Sequence, residues 1–177
     1  RADRHPRKGV VVPSPEPLRS RDSDVLRSAL RRLRSSIDVP VVFGGMDIEN
    51  GPIITELFGT RTKGLRGLLI SPHAGLGGRV WVEGVPRGVA DYRTARTISH
   101  DYDGPVLGEG ITSILALPIR VFDRPRGLVY LGTREPAPLG ERLITAARPF
   151  VTAVEQEVRI RDEVDRRIAA AIQPNES

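Results

Sequence analysis

The chain has 177 residues, enough for one domain with a real core, and its 39% hydrophobic and 28% charged residues describe a globular protein rather than a disordered or fibrous one. No apolar run approaches the ~18 residues of a membrane span, and the Arg-rich start leads into no apolar block of a secretory signal. Without cysteine there are no disulfides, thiol nucleophiles or thiolate metal sites, a composition that suits a reducing cytoplasm.

The net charge of +5 is uneven. Residues 1–34 hold ten Lys/Arg against four Asp/Glu, and residues 35–177 hold seventeen against eighteen. The body of the protein is therefore neutral, and a solvated basic helix explains the excess better than a nucleic-acid patch, which needs a clustered basic face on the fold itself.

Residues 1–18 contain Pro6, Pro13, Pro15 and Pro17 and read as a disordered tail. The first residue is Arg rather than Met, as in a trimmed chain. Residues 19–37 read as a helix with Leu26, Leu30, Leu33 and Ile37 on one face, capped by Asp22 or Ser23. A hairpin follows: Val39–Phe43, Gly44-Gly45, turn chemistry over Asp47–Pro52, then Ile53–Phe58. Leu65–Ile70 reads as a strand entering the glycine-rich Pro72–Gly78 turn, with a short helix over Arg79–Glu83 stopped by Gly84 and Pro86. Gly88–Tyr92 reads as a strand and Arg93–Gly110 as irregular. The clearest unit is a hairpin, Ile114–Phe122 and Gly127–Thr133, turning at Asp123–Arg126, with Leu115, Leu117, Ile119 and Val121 on a buried face. A long helix occupies 139–172, its seam at Leu143, Ala147, Phe150 and Val154, broken at Glu157 and Arg161, resuming at Val164 and Ile168; residues 173–177 are a tail. The short connections make this an α+β fold with a mostly antiparallel sheet.

Reactive chemistry is sparse. Gly75-Leu76-Gly77-Gly78 before a helix could cradle an anion, but it lacks the Lys-Ser/Thr of a P-loop, and a tight turn that lets the helix pack closely is the preferred explanation. The three histidines, His5, His73 and His100, are far apart, and His100-Asp101-Tyr102-Asp103 lacks the convergent ligands of a metal site, so no metal is expected. No nucleophile elbow, catalytic triad or paired carboxylates occur, and no enzyme is expected. Trp81, Tyr92 and Tyr102 cluster in sequence; core packing is an equal alternative for Trp81, while Tyr92 and Tyr102 can line a cavity and offer hydroxyls to a ligand.

In order, Gly75-Leu76-Gly77-Gly78-Arg79, Gly84-Val85-Pro86, Asp91-Tyr92, Ile98–Asp103, Glu109-Gly110-Ile111, Leu117-Pro118-Ile119 and Gly127–Tyr130 resemble GAF domains, most nearly those preceding a helix-turn-helix in bacterial LuxR-type regulators. The resemblance covers roughly residues 22–165. It implies a GAF domain over 19–172: an antiparallel sheet of about six strands over 39–133, terminal helices on one face that mediate homodimerisation, and short helices and loops covering a pocket on the other. The implied function is ligand sensing in a cytoplasmic transcription regulator, with DNA reached only through a helix-turn-helix not seen before Pro174–Ser177; the alternative is a ligand-free dimerisation or protein-interaction module. The Asn-Lys-Phe-Asp-Glu signature of cyclic-nucleotide members is absent, and without cysteine the bilin-attaching and sulfoxide-reducing members are excluded. Haem would need His73 or His100 as axial ligand, and no cofactor is expected. An unidentified small molecule is expected to bind near Trp81, Tyr92, His100 and Tyr102.

Overall fold

The structure is a computed structural model and describes residues 16–172, with side chains from residue 22 onward. The expected tails lie outside it, apart from residues 16–18, which already belong to the first helix. That helix, α1 (Glu16–Ser36), starts earlier than the sequence suggested, with Pro17 in the first turn, where its missing N–H costs no helical bond. Asp22 and Ser23 therefore sit inside the helix, not at its cap, and Asp22 instead reaches Arg126 on the hairpin at 3.4 Å.

Strand β1 (Val41–Met46) pairs antiparallel with β2 (Glu56–Phe58). Strand β1 runs on past the expected Val39–Phe43 to take in Gly44-Gly45, and the turn lies within Asp47–Pro52 as expected, closed by a bridge between those two residues. Segment 53–55 crosses so closely that a Cβ on Gly45 would stand 1.7 Å from the Ile53 carbonyl oxygen. Leu65–Ile70 is not a strand: it is a series of turns, with one bridge from Leu69 to Ile53 and Gly67 at φ +78°. The sheet accordingly has five strands rather than about six.

Helix α2 (Gly75–Glu83) begins four residues before expectation, taking in all the glycines of the expected turn from Gly75 onward, and it ends on Gly84 in the left-handed conformation. Strand β3 (Arg87–Val89) is shorter than expected, and the irregular stretch contains one short helix, α3 (Asp103–Gly108). Strands β4 (Ser113–Val121) and β5 (Arg124–Thr133) form the expected hairpin, but it turns on Phe122 and Asp123, both at positive φ, as in a two-residue type I′ loop. Arg124 and Pro125 pair with Val121 and Arg120, and a register shift at Ile119/Arg120 leaves Arg126 as the extra residue. The Glu155 carboxylate accepts the Arg120 backbone N–H there at 2.7 Å. Helix α4 (Glu141–Ile172) runs through Pro149.

Strand order is β2-β1-β5-β4-β3, antiparallel throughout. Period-two alternation sends Leu115, Leu117, Ile119, Val121, Val129 and Leu131 to one face, against Leu26, Leu30 and Leu33 of α1 and Ala147, Val151, Val154 and Val158 of α4. The opposite parity, Phe43, Ile114, Ala116, Leu128 and Tyr130, faces α2, α3 and the loops. Both faces are thus buried, in three layers. The seam of α4 is shifted from expectation: Val151 and Val158 are fully buried, whereas Leu143 and Phe150 are half-buried. Beyond the sheet, Ile160, Val164, Ile168 and Ile172 form an exposed apolar stripe at four-residue spacing.

Candidate functional site

Between the sheet and its cover of turns and short helices lies an apolar cavity. Phe43, Ile114 and Tyr130 form its floor; Ile54, Leu65, Leu68, Ile70, Leu76, Gly77, Tyr92, Tyr102 and Val106 form its walls and roof. The remaining space is about 20 Å³, room for a single water. Phe43 and Tyr130, opposite one another in the β1–β5 register, stack with ring centroids 4.5 Å apart and planes 6° from parallel.

Helix α2 comes down on this floor because its glycines carry no side chain. A Cβ on Gly77 would stand 1.7 Å from the Tyr130 hydroxyl, and one on Gly78 would stand 2.2 Å from the Ser71 carbonyl oxygen. Gly75, at φ +61°, lies under the Tyr102 ring, and its N–H donates to Ser99 Oγ at 2.8 Å. Close packing of helix on sheet therefore accounts for Gly75-Leu76-Gly77-Gly78, in keeping with the preferred sequence reading.

Three phenols meet at the cavity. Tyr92 is 2% exposed and Tyr130 5% exposed, and among the described residues neither hydroxyl has a hydrogen-bond partner. Tyr102 Oη accepts the Ser71 N–H at 2.8 Å, which leaves its own proton unspent. Burial pushes the Tyr92 hydroxyl far above its usual range, reinforced by Asp103 and Asp101. It does the same to Tyr130, with Tyr102 and Tyr92 adding to it. Tyr92 and Tyr130 therefore stay O–H groups at neutral pH.

Of the four expected site residues, the structure brings Tyr92 and Tyr102 together at the cavity. Trp81 and His100 do not line it. Trp81 is half-buried on α2, packed against the cover core. His100 lies behind Tyr92, edge-on at 5.8 Å, and braces its loop: Nε2 meets the Ala95 carbonyl oxygen and Nδ1 meets Asp103 Oδ1, each at 2.7 Å. The Ala95 bond, followed by that to Asp103, raises the His100 pKa. Tyr130 was missed, although the parity of β5 places it on the pocket face, opposite Val129 and Leu131.

The rim of the cover is fastened by Glu109, whose side chain is fully buried. It accepts the Arg61 and Thr62 N–H groups at 2.9 and 2.6 Å, the Thr62 hydroxyl at 2.6 Å and Arg134 Nη2 at 3.1 Å. Burial alone would raise its pKa; the hydrogen bonds from Thr62, Arg61 and Arg134 outweigh it and hold the carboxyl below its usual range. Ser113 closes the far end of β4, donating to the Ala90 carbonyl oxygen at 2.6 Å and accepting the Ala137 N–H at 2.9 Å. Among the described residues no three His, Asp or Glu side chains converge as metal ligands, and no helix is long and apolar enough to cross a membrane.

The fold is shared with known structures. A GAF domain/HD domain protein from Geobacter sulfurreducens superposes with a TM-score of 0.68 at 16% identity, over 82% of this chain and 96% of that one. The blue-light absorbing form of the PixJ GAF domain from Thermosynechococcus elongatus gives 0.70 at 12% identity, over 89% and 96%. The chain is a GAF domain in fold. In sequence, it is 36% identical over 146 residues to the HTH-type transcriptional activator RamA of Corynebacterium glutamicum, covering 82% of this chain and 52% of RamA. The chain thus spans about half the length of the curated relative it matches. No protein-family model matches it.

Proposed function

We propose that this GAF domain is the ligand-sensing part of a cytoplasmic transcription regulator of the LuxR type, without catalytic activity of its own. The observation that carries the reading is the pair of buried phenols, Tyr92 and Tyr130, facing an apolar cavity with no partner for either hydroxyl. A polar ligand atom received there makes a hydrogen bond that no protein group makes, worth about 1 kcal/mol net. The cavity wall carries no carboxylate, imidazole or amine, and burial holds the Tyr92 and Tyr130 hydroxyls protonated, which favours binding over acid–base chemistry. Similarity to part of an HTH-type activator supports the regulatory setting.

A signal would leave through α1 and α4, which pack on the opposite face of the same strands, in a homodimer whose helices pass it to a DNA-binding part outside this chain. Two features support that contact. One is the α4 stripe Ile160, Val164, Ile168 and Ile172. The other is an open groove between α1 and α4 that combines Asp24 and Glu157 with Arg32 and Arg161, leaving Arg161 Nη1 buried and unpaired.

A second reading, a ligand-free dimerisation or interaction module, is favoured by the small residual volume of about 20 Å³. Under the sensing reading the cover, held by the Ser71–Tyr102 and Gly75–Ser99 bonds, shifts to admit the ligand. A thermal-shift screen of metabolites on wild type and on the Tyr92→Phe/Tyr130→Phe double variant separates the two. Sensing predicts a compound that stabilises wild type and loses most of that effect in the variant. Absence of any such compound favours the interaction module.

A further inference from the structure

We infer that the ligand of the tyrosine cavity is an uncharged molecule with a compact apolar body and a hydrogen-bond acceptor at one end, received by the hydroxyls of Tyr92, Tyr102 and Tyr130. This deepens the sensing reading and rests on it.

The first argument is the balance of donors and acceptors. Tyr102 Oη already accepts from Ser71 N–H, so what it has left to offer is a proton. Tyr92 and Tyr130 have spent neither donor nor acceptor, and burial keeps both protonated. Three unspent O–H groups border one cavity. An acceptor such as a carbonyl, ether or nitro oxygen takes up to two of these protons on its lone pairs.

The second argument is charge. Every other lining side chain is aliphatic or aromatic, or is Gly77, so no cation waits for an anionic ligand. Asp101 and Asp103 stand behind Tyr92 with their negative charge, which opposes an anion further. Arg79, the cation on the neighbouring helix, is engaged by Glu83 and the Thr97 carbonyl oxygen. A charged ligand would lose its hydration and gain no counter-charge.

The third argument is access. The roof is closed by the Ser71–Tyr102 and Gly75–Ser99 hydrogen bonds, both between neutral groups, and its backbone departs from regular geometry at His73 (φ 65°) and Gly75 (φ 61°). Breaking those two bonds frees Tyr102, which carries one of the three hydroxyls, to follow the ligand.

Three probes of similar shape test the class: acetophenone, neutral with an acceptor; isopropylbenzene, neutral without one; and benzoate, an anion. The readout is methyl NMR of Ile54, Ile70, Leu76 and Ile114 in the full chain. Acetophenone is expected to shift these methyls and to bind about tenfold tighter than isopropylbenzene, a preference lost in Tyr92→Phe/Tyr130→Phe, with benzoate silent. Benzoate binding as tightly as acetophenone, or a preference that survives in the double variant, overturns the class and leaves sensing standing. Silence of all three probes, in wild type and in Leu76→Ala, where the wall is trimmed, overturns both.

Discussion

Tyr92→Phe and Tyr130→Phe should not destabilise the free protein, although each removes a polar group from a fully folded interior. In the unfolded chain both hydroxyls bond to water; in the fold they have no partner. Removing such a group gives up no hydrogen bond to a protein group and only one atom's packing, so each variant should stay within about 1 kcal/mol of wild type. Ser113→Ala is the internal control, because it removes a hydroxyl of equal burial whose two bonds are made, to the Ala90 carbonyl and from the Ala137 N–H. That change leaves the Ala90 carbonyl and the Ala137 N–H, on an exposed and a half-buried residue, without their side-chain partner and should cost about 1 kcal/mol. Urea unfolding monitored by circular dichroism reads the difference as a midpoint shift at constant slope; by heat, 1 kcal/mol corresponds to roughly 2–4 °C in a chain of this size. Losses above about 1 kcal/mol in both tyrosine variants would refute the reasoning, since they would mean that each hydroxyl has a partner, such as a bridging water.

Glu109→Ala should cost about 3–5 kcal/mol by leaving Arg134 and two backbone N–H groups without their acceptor. The Glu109 carboxyl is held low in the fold, so its contribution is complete above the ordinary carboxylate pKa of 4.5 and is lost as pH falls through the lower folded value; the acid limb of a urea-midpoint profile should flatten in Glu109→Gln. His100 runs the other way: its raised pKa makes its contribution complete below 6.5 and lost as pH rises through the folded value. Amide exchange over residues 95–103 should accelerate from pH 6 to pH 8 by more than the intrinsic rate, and this excess should vanish in His100→Gln. Val164→Asp and Ile168→Asp, at positions about half exposed, should leave the urea midpoint within about 0.5 kcal/mol of wild type while lowering the mass seen by light scattering at tens of micromolar; an unchanged mass would remove this stripe from the dimer contact.

Much of the fold is legible because it rests on periodicity. Alternation in β4 marks Leu115, Leu117, Ile119 and Val121 as one face, and the structure buries them against α1 and α4. Where close backbone approach decides, the pattern misleads. Gly44-Gly45 follows the β-branched run that marks the strand, yet it is still strand, with segment 53–55 passing over it; Gly75–Gly78 looks like the approach to a helix, yet it is the helix, because only glycine fits over Tyr130 and Ser71. The hairpin turn was misplaced because Pro125 is conspicuous, whereas the positive φ of Phe122 and Asp123 has no glycine to announce it. The site was half legible. Tyr92 and Tyr102 stand out in an irregular stretch, but Tyr130 is hidden within a strand that reads as core, and only the parity of β5 reveals it. His100 was selected for its chemistry, whereas its ring nitrogens are both engaged within its own loop.

The central claim is that the tyrosine cavity receives a small molecule. Methyl NMR of the full chain, titrated with metabolite mixtures, tests it most directly. The account predicts that at least one mixture moves the methyls of Ile54, Ile70, Leu76 and Ile114 in wild type, and moves them less in the Tyr92→Phe/Tyr130→Phe variant. Shifts confined to α1 and α4, or cavity methyls that respond to no mixture, would contradict it.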